Sequence, residues 1–226
     1  VRIVGSYVSP YVRKVLVCLD LKGIGYEIDP IIPFMGSDAF TRLSPIRRIP
    51  VLIDDRVTLA DSTVICEYLE ERHPEPPLFP RGAAARARAR WLEEFADTRM
   101  GEVFIWRLFN QRVINRRVWR EPTDEAVVAR ALGQDIPQIL DYLEGELPAA
   151  GYLFGGIAVA DIAVAVFFRN AGFAGLLVDA ARWPRTGGFV DRLPRHPSFA
   201  KLAPLEDLLM RTPPAQQREA LLAAGA

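Results

Sequence analysis

Three short stretches carry side chains able to do chemistry. Ser9-Pro10 precedes apolar residues at Val12, Val15, Leu16 and Leu19, a helical spacing that puts Ser9 at the N-cap and Pro10 in the first turn. Asp61-Ser62 opens a second helix, ThrValIleCysGluTyrLeuGlu, so a carboxylate, a hydroxyl and unpaired backbone N–H groups gather at one positive helix end. Such an end attracts an anion. Ahead of it, Arg47 to Ser62 reads RRIPVLIDDRVTLADS: a buried strand Val51-Leu52-Ile53, a turn at Asp54-Asp55, and a second strand Val57-Thr58-Leu59. Pro50 has no N–H to give a ladder, so it belongs at the strand's first position, where the amide and carbonyl of Ile49 are left to pair with something extended.

Composition limits what these groups can serve. The chain has 226 residues, half of them apolar, enough for one large domain or two small ones. Lys and Arg (28) balance Asp and Glu (28), which removes the electrostatic drive toward nucleic acid or an anionic membrane. No run of eighteen apolar residues and no leader pattern occurs, so a soluble, cytoplasmic protein is expected. The two cysteines, Cys18 and Cys66, fall among Val, Leu and Ile and read as buried thiols; with two histidines besides, a metal site lacks ligands.

The elements that must position the three stretches follow in order. Arg2 to Gly5 is a strand, Pro10 to Gly23 a helix, Gly25 to Asp29 a strand, residues 30–36 a loop, and Asp38 to Leu43 a short helix. The hairpin and the helix ending near Arg72 complete a small mixed sheet with helices on both faces. Four prolines between His73 and Gly82 then break regular structure. Beyond them the pattern is helical. Arg86, Arg88 and Arg90 alternate with alanine on the first long helix, and with Glu93, Glu94 and Asp97 behind them they read as a solvated face. Pro122 to Leu147 reads as a helix kinked or broken at Gly133 and Pro137, Val159 to Phe173 as the buried centre, and residues 185–192 and 198–210 as shorter helices. The last dozen residues are expected to fray.

Ser9-Pro10-Tyr11-x-Arg13-Lys14-Val15, Ile49-Pro50-Val51-Leu52, Asp61-Ser62, a proline-rich linker and Gly-x-x-x-x-Ala160-Asp161, in that order, resemble a cytosolic glutathione transferase of the serine type over nearly the whole chain. The resemblance implies an α/β thioredoxin-like N-terminal domain with a mixed four-stranded sheet (1–76), a linker (77–84) and an all-α domain (85–226) that helps bind a hydrophobic electrophile. It also implies a homodimer, glutathione as co-substrate without metal, a role in detoxification, and a cis Ile49-Pro50 bond. Isomerisation, peroxide reduction, or a transferase fold kept as an interaction module are the alternatives.

Site roles follow from what an extended tripeptide with a carboxylate at each end requires. Ile49 pairs its cysteinyl unit as an added strand. Ser62 and the helix end hold the γ-glutamyl carboxylate, and Asp61, where relatives more often carry Glu or Gln, takes the ammonium. Arg48, and less directly Arg47, holds the glycyl carboxylate. Ser9 donates to the sulfur; Tyr7, in the same loop, is the rival, and a pure helix cap is the bland role for Ser9. Arg13 either reaches the site or faces solvent. Val8, Tyr11, Phe34 and Met35, with Met100, Phe104 and Arg107, form the expected electrophile pocket, part of which is core packing. Asp161 caps the central helix without the usual partner, since Ala158 stands where Ser or Thr is expected.

Overall fold

The computed structural model describes residues 1–32 and 36–225. Its elements are β1 (Arg2–Gly5), α1 (Pro10–Leu21), β2 (Glu27–Pro30), α2 (Asp38–Leu43), β3 (Val51–Ile53), β4 (Thr58–Ala60), α3 (Ser62–Arg72), α4 (Ala83–Phe95), α5 (Glu125–Arg130), α6 (Ile136–Glu146), α7 (Val159–Phe173), α8 (Pro184–Arg192), α9 (Pro197–Ala200), α10 (Ala203–Arg211) and α11 (Gln217–Ala223). Helix α4 runs on through Ala96–Trp119 with i→i+5 bonding, and a second such stretch, Ala131–Asp135, joins α5 to α6. That wide turn is the form the expected interruption at Gly133 and Pro137 takes: Pro137 has no N–H for an α-helical bond and sits in the first turn of α6.

Two compact units form, residues 1–78 with 197–226, and residues 79–196. The second boundary differs from the sequence expectation, because the last thirty residues join the first unit instead of the helical one. Their anchors explain it. Arg13 Nε lies 3.6 Å from Glu206 Oε1, both side chains buried, Lys201 pairs with Asp20, and Arg218 holds Asp29 through two contacts of 2.9 and 3.0 Å. Against the expected fraying of the last dozen residues, α11 buries Leu221 almost completely.

In the first unit the sheet order is β2-β1-β3-β4, with β1 parallel to β2 and antiparallel to β3, and β3 antiparallel to β4. Side chains alternate across it: Val4 and Val51 pack on Phe40 of α2, while Ile3 and Leu52 are wholly buried on the other face. Gly5 allows β1 to meet α1 closely, since a Cβ there would fall 2.6 Å from Val12 Cγ2. Helices α1 and α3 pack together. A buried ammonium braces them, Lys22 Nζ donating to Glu70 Oε2 (2.8 Å), His73 O (2.6 Å) and Pro76 O (3.0 Å).

The hairpin turn is latched as well. Asp54 Oδ1 accepts the Arg56 and Val57 N–H groups, and Oδ2 accepts Tyr68 Oη–H (2.6 Å) and Arg72 Nη1–H (2.5 Å). Burial alone would raise this carboxyl; the Tyr68 hydroxyl, the two N–H groups and Arg72 outweigh it and bring the pKa down to about 2.

In the second unit α7 packs against α4 and its extension and is buried on nearly every side. The three alanine-spaced arginines are more committed than a solvated face: Arg86 and Arg90 lie 5.7 and 6.0 Å from the Phe79 ring centre, and Arg88 pairs with Glu146 of α6.

Candidate functional site

Strand register gathers the three chemical stretches. Val51 stands opposite Val4 on one side and Ala60 on the other. One step further along this register, Pro50 falls across from Gly5 and from Asp61. The cis Ile49-Pro50 bond, the β1–α1 turn and the start of α3 therefore share one end of the sheet. Beyond the ladder, neither the N–H nor the C=O of Ile49 has a hydrogen-bond partner among the described residues.

Ser9 is the N-cap of α1. Its backbone is extended (φ −75°, ψ 126°), its Oγ accepts the Val12 N–H at 3.4 Å, and its N–H donates to Ser6 O at 2.9 Å. The hydroxyl proton is thus uncommitted among the described residues. Tyr7, two residues earlier, is buried in the core, and burial raises its phenol above the ordinary range. It and Asp20 raise Tyr26 in turn, after burial.

Asp61 is the N-cap of α3, with Oδ1 accepting Thr63 N–H (2.9 Å) and Val64 N–H (3.1 Å) and Oδ2 without a partner among the described residues. Ser62, 4% exposed, has no side-chain partner among the described residues. Beneath them Lys14, wholly buried, donates from Nζ to Thr63 Oγ1 at 3.1 Å, a contact no local sequence pattern announces. Arg48 is held by its backbone, Ser44 Oγ accepting its N–H at 3.0 Å and donating to its C=O at 2.8 Å, while the guanidinium stays exposed and unpaired among the described residues. Arg47 is spent differently: at φ 52° its side chain donates to Thr41 Oγ1 (2.8 Å) and Gly36 O (2.5 Å). Arg13 neither reaches this end nor faces solvent, because its buried guanidinium meets Glu206.

Of the expected electrophile residues, Val8 and Tyr11 flank Ser9 half-buried, and Phe34 and Met35 lie outside the described residues. Met100 and Phe104 are wholly buried, Phe104 edge-on to Phe168 with ring centres 5.3 Å apart. Arg107 donates to Asp135 at 2.7 Å and pairs with Glu102. Asp161 accepts Leu153 N–H and Ala158 N–H, each at 3.0 Å, doing alone what a complete capping box shares. Burial pushes its pKa up to about 6 against the pull of those two N–H groups.

Residues 3–77 match the family model for the glutathione S-transferase N-terminal domain. The chain is 29% identical over 208 residues to the uncharacterized GST-like protein YibF of Escherichia coli, covering 90% of this chain and 98% of that one. It is 31% identical over 206 residues to a maleylacetoacetate isomerase of Pseudomonas aeruginosa, covering 88% of this chain and 93% of the relative. The chain belongs to the glutathione transferase family. A glutathione S-transferase from Rhodospirillum rubrum F11 superposes with TM-score 0.83 at 27% identity, covering 97% of this chain and 98% of that structure. Family membership makes the first unit's sheet a thioredoxin-like domain, with a helical domain after it, and gives the chain glutathione-dependent transferase or isomerase chemistry. No described helix is long and apolar enough to cross a membrane.

Proposed function

We propose that the protein lays glutathione in extended form across the end of the sheet shared by Ser9, Ile49-Pro50 and Asp61-Ser62, and uses Ser9 to keep its sulfur ionised for attack on a hydrophobic electrophile. The supporting observation is the register that brings Ile49, its backbone unpaired among the described residues, between two helix N-termini. The tripeptide's cysteinyl unit pairs with Ile49. Its γ-glutamyl carboxylate takes Ser62 Oγ–H and the first N–H groups of α3, Asp61 Oδ2 takes the ammonium, and Arg48 takes the glycyl carboxylate.

A free thiol has a pKa of about 8.5, and each unit of lowering corresponds to about 1.4 kcal/mol. One charge-assisted hydrogen bond of about 1.5–3 kcal/mol from Ser9 Oγ–H therefore brings the thiol to roughly 7, with the N-terminus of α1 helping. Tyr7 is a weaker candidate because its phenol is buried in the core. Val8 and Tyr11 form the near wall for the electrophile.

Reversible addition of the same thiolate to a conjugated double bond, followed by rotation and elimination, is the second reading, favoured by the likeness to the maleylacetoacetate isomerase. We further read the protein as a cytoplasmic homodimer acting in detoxification, on family grounds; sedimentation should give twice 25.3 kDa, and a monomer would contradict this.

Calorimetric titration with glutathione tests the binding mode. Saturable heat is expected, weakened about tenfold or more in Asp61→Ala and in Ser62→Ala. No binding at millimolar glutathione would overturn the proposal and leave the fold as an interaction module.

A further inference from the structure

Cys18 and Cys66 are the only cysteines of the chain, and folding brings them together from two helices, α1 and α3, with their sulfur atoms 3.6 Å apart. Neither is in a disulfide, and both are almost wholly enclosed, at 0% and 1% exposure. Neither belongs to the glutathione end of the sheet, yet each sits on a helix whose N-cap does: Ser9 caps α1 and Asp61 caps α3. A disulfide has sulfurs about 2.05 Å apart, so bond formation brings the two sulfurs about 1.6 Å closer than they stand.

We propose that Cys18 and Cys66 are an oxidative modification site, forming an intramolecular disulfide that cross-links α1 to α3 when a small hydroperoxide reaches them. One thiol, as thiolate, attacks the terminal peroxide oxygen; the O–O bond breaks, an alcohol leaves with the proton, and a sulfenic acid remains. The second thiol attacks that sulfur, the S–O bond breaks, water leaves carrying the second proton, and the S–S bond forms. Two thiols lose two electrons in all, and one hydroperoxide becomes an alcohol and water. Enclosure selects the oxidant: a peroxide is close to water in size, whereas a bulky disulfide cannot dock on a sulfur with almost no exposed surface. The same enclosure keeps foreign thiols away, so the neighbouring cysteine is the only partner at hand. The cross-link fixes the spacing of the two helices that present Ser9 and Asp61, and it does not depend on how those residues treat a ligand.

The test uses the native full-length protein. It is exposed to graded hydrogen peroxide, quenched, denatured, labelled with a maleimide and weighed by mass spectrometry. Both labels should be lost together, with a mass two hydrogens lower in the unlabelled chain, and dithiothreitol should restore both. The oxidised protein should melt roughly 5–10 °C higher, because the bond closes a long loop in the unfolded chain. Two labels surviving a dose that oxidises the denatured chain would overturn the proposal. So would accumulation of a one-label species, a sulfinic acid, or a disulfide between two copies.

Discussion

The Ser9 hydroxyl accepts a long contact from Val12 N–H and has no acceptor for its own proton among the described residues, so its capping role and the role proposed for it on the sulfur separate by substitution. Ser9→Ala should lose about 1 kcal/mol of stability with the cap, whereas Ser9→Gly should lose only a few tenths. Both should lower kcat/KM with glutathione by about tenfold or more; melting curves beside steady-state rates check the split. Asp161 and Asp54 carry opposite pH signatures. With its pKa raised to about 6, Asp161 binds more protons in the folded than in the unfolded chain between about pH 4 and 6. Its contribution is complete below that window and declines as pH rises through it, by at most about 3 kcal/mol. Asp54, lowered to about 2, contributes stability above about pH 4 that disappears as pH falls toward 2. Melting temperature against pH for the wild type, Asp161→Asn and Asp54→Asn should show slopes of opposite sign removed by the two substitutions. The caps at Ser9 and Asp61 were legible because a cap bonds N–H groups two or three residues on. The burial of Arg13 and Lys14 was not, since Glu206 and Thr63, which meet them, lie far along the chain.

Between elements, the connection most exposed to a single change is the one Lys22 makes from the end of α1 to α3 and the proline-rich segment. Glu70 Oε2 also accepts Leu78 N–H at 3.0 Å, so one carboxylate joins helix, helix and linker. Lys22→Met leaves that carboxylate and two carbonyls short of their donor in a buried place. It should cost about 3 kcal/mol, read as a lower urea midpoint at unchanged slope. The element order was legible from hydrophobic period and punctuation: Gly23, the Asp54-Asp55 turn and Pro10 mark ends that the structure keeps within a residue or two. What periodicity could not supply was the wide turn at Ala131–Asp135, because a run of apolar residues interrupted by Gly133 and Pro137 fits a kink, a break or an i→i+5 turn equally well.

For the molecule as a whole, the last thirty residues return to the unit that holds the sheet, where helical pattern and family resemblance place them in the all-α domain. Composition could not separate them, since α9 to α11 are as helical as what precedes them; only the partners of Glu206, Arg218 and Leu221 decide where they go. Leu221→Ala should therefore destabilise the protein by about 2–3 kcal/mol, a drop of several degrees in melting temperature, despite lying five residues from the end of the sequence. The measurement closest to the central claim is the ultraviolet absorbance of glutathione's thiolate when bound, titrated with pH in the wild type, Ser9→Ala and Tyr7→Phe. The bound thiol should ionise near pH 7 in the wild type and in Tyr7→Phe, and one to two units higher in Ser9→Ala. An unchanged midpoint in Ser9→Ala, or a rise in Tyr7→Phe alone, would contradict it.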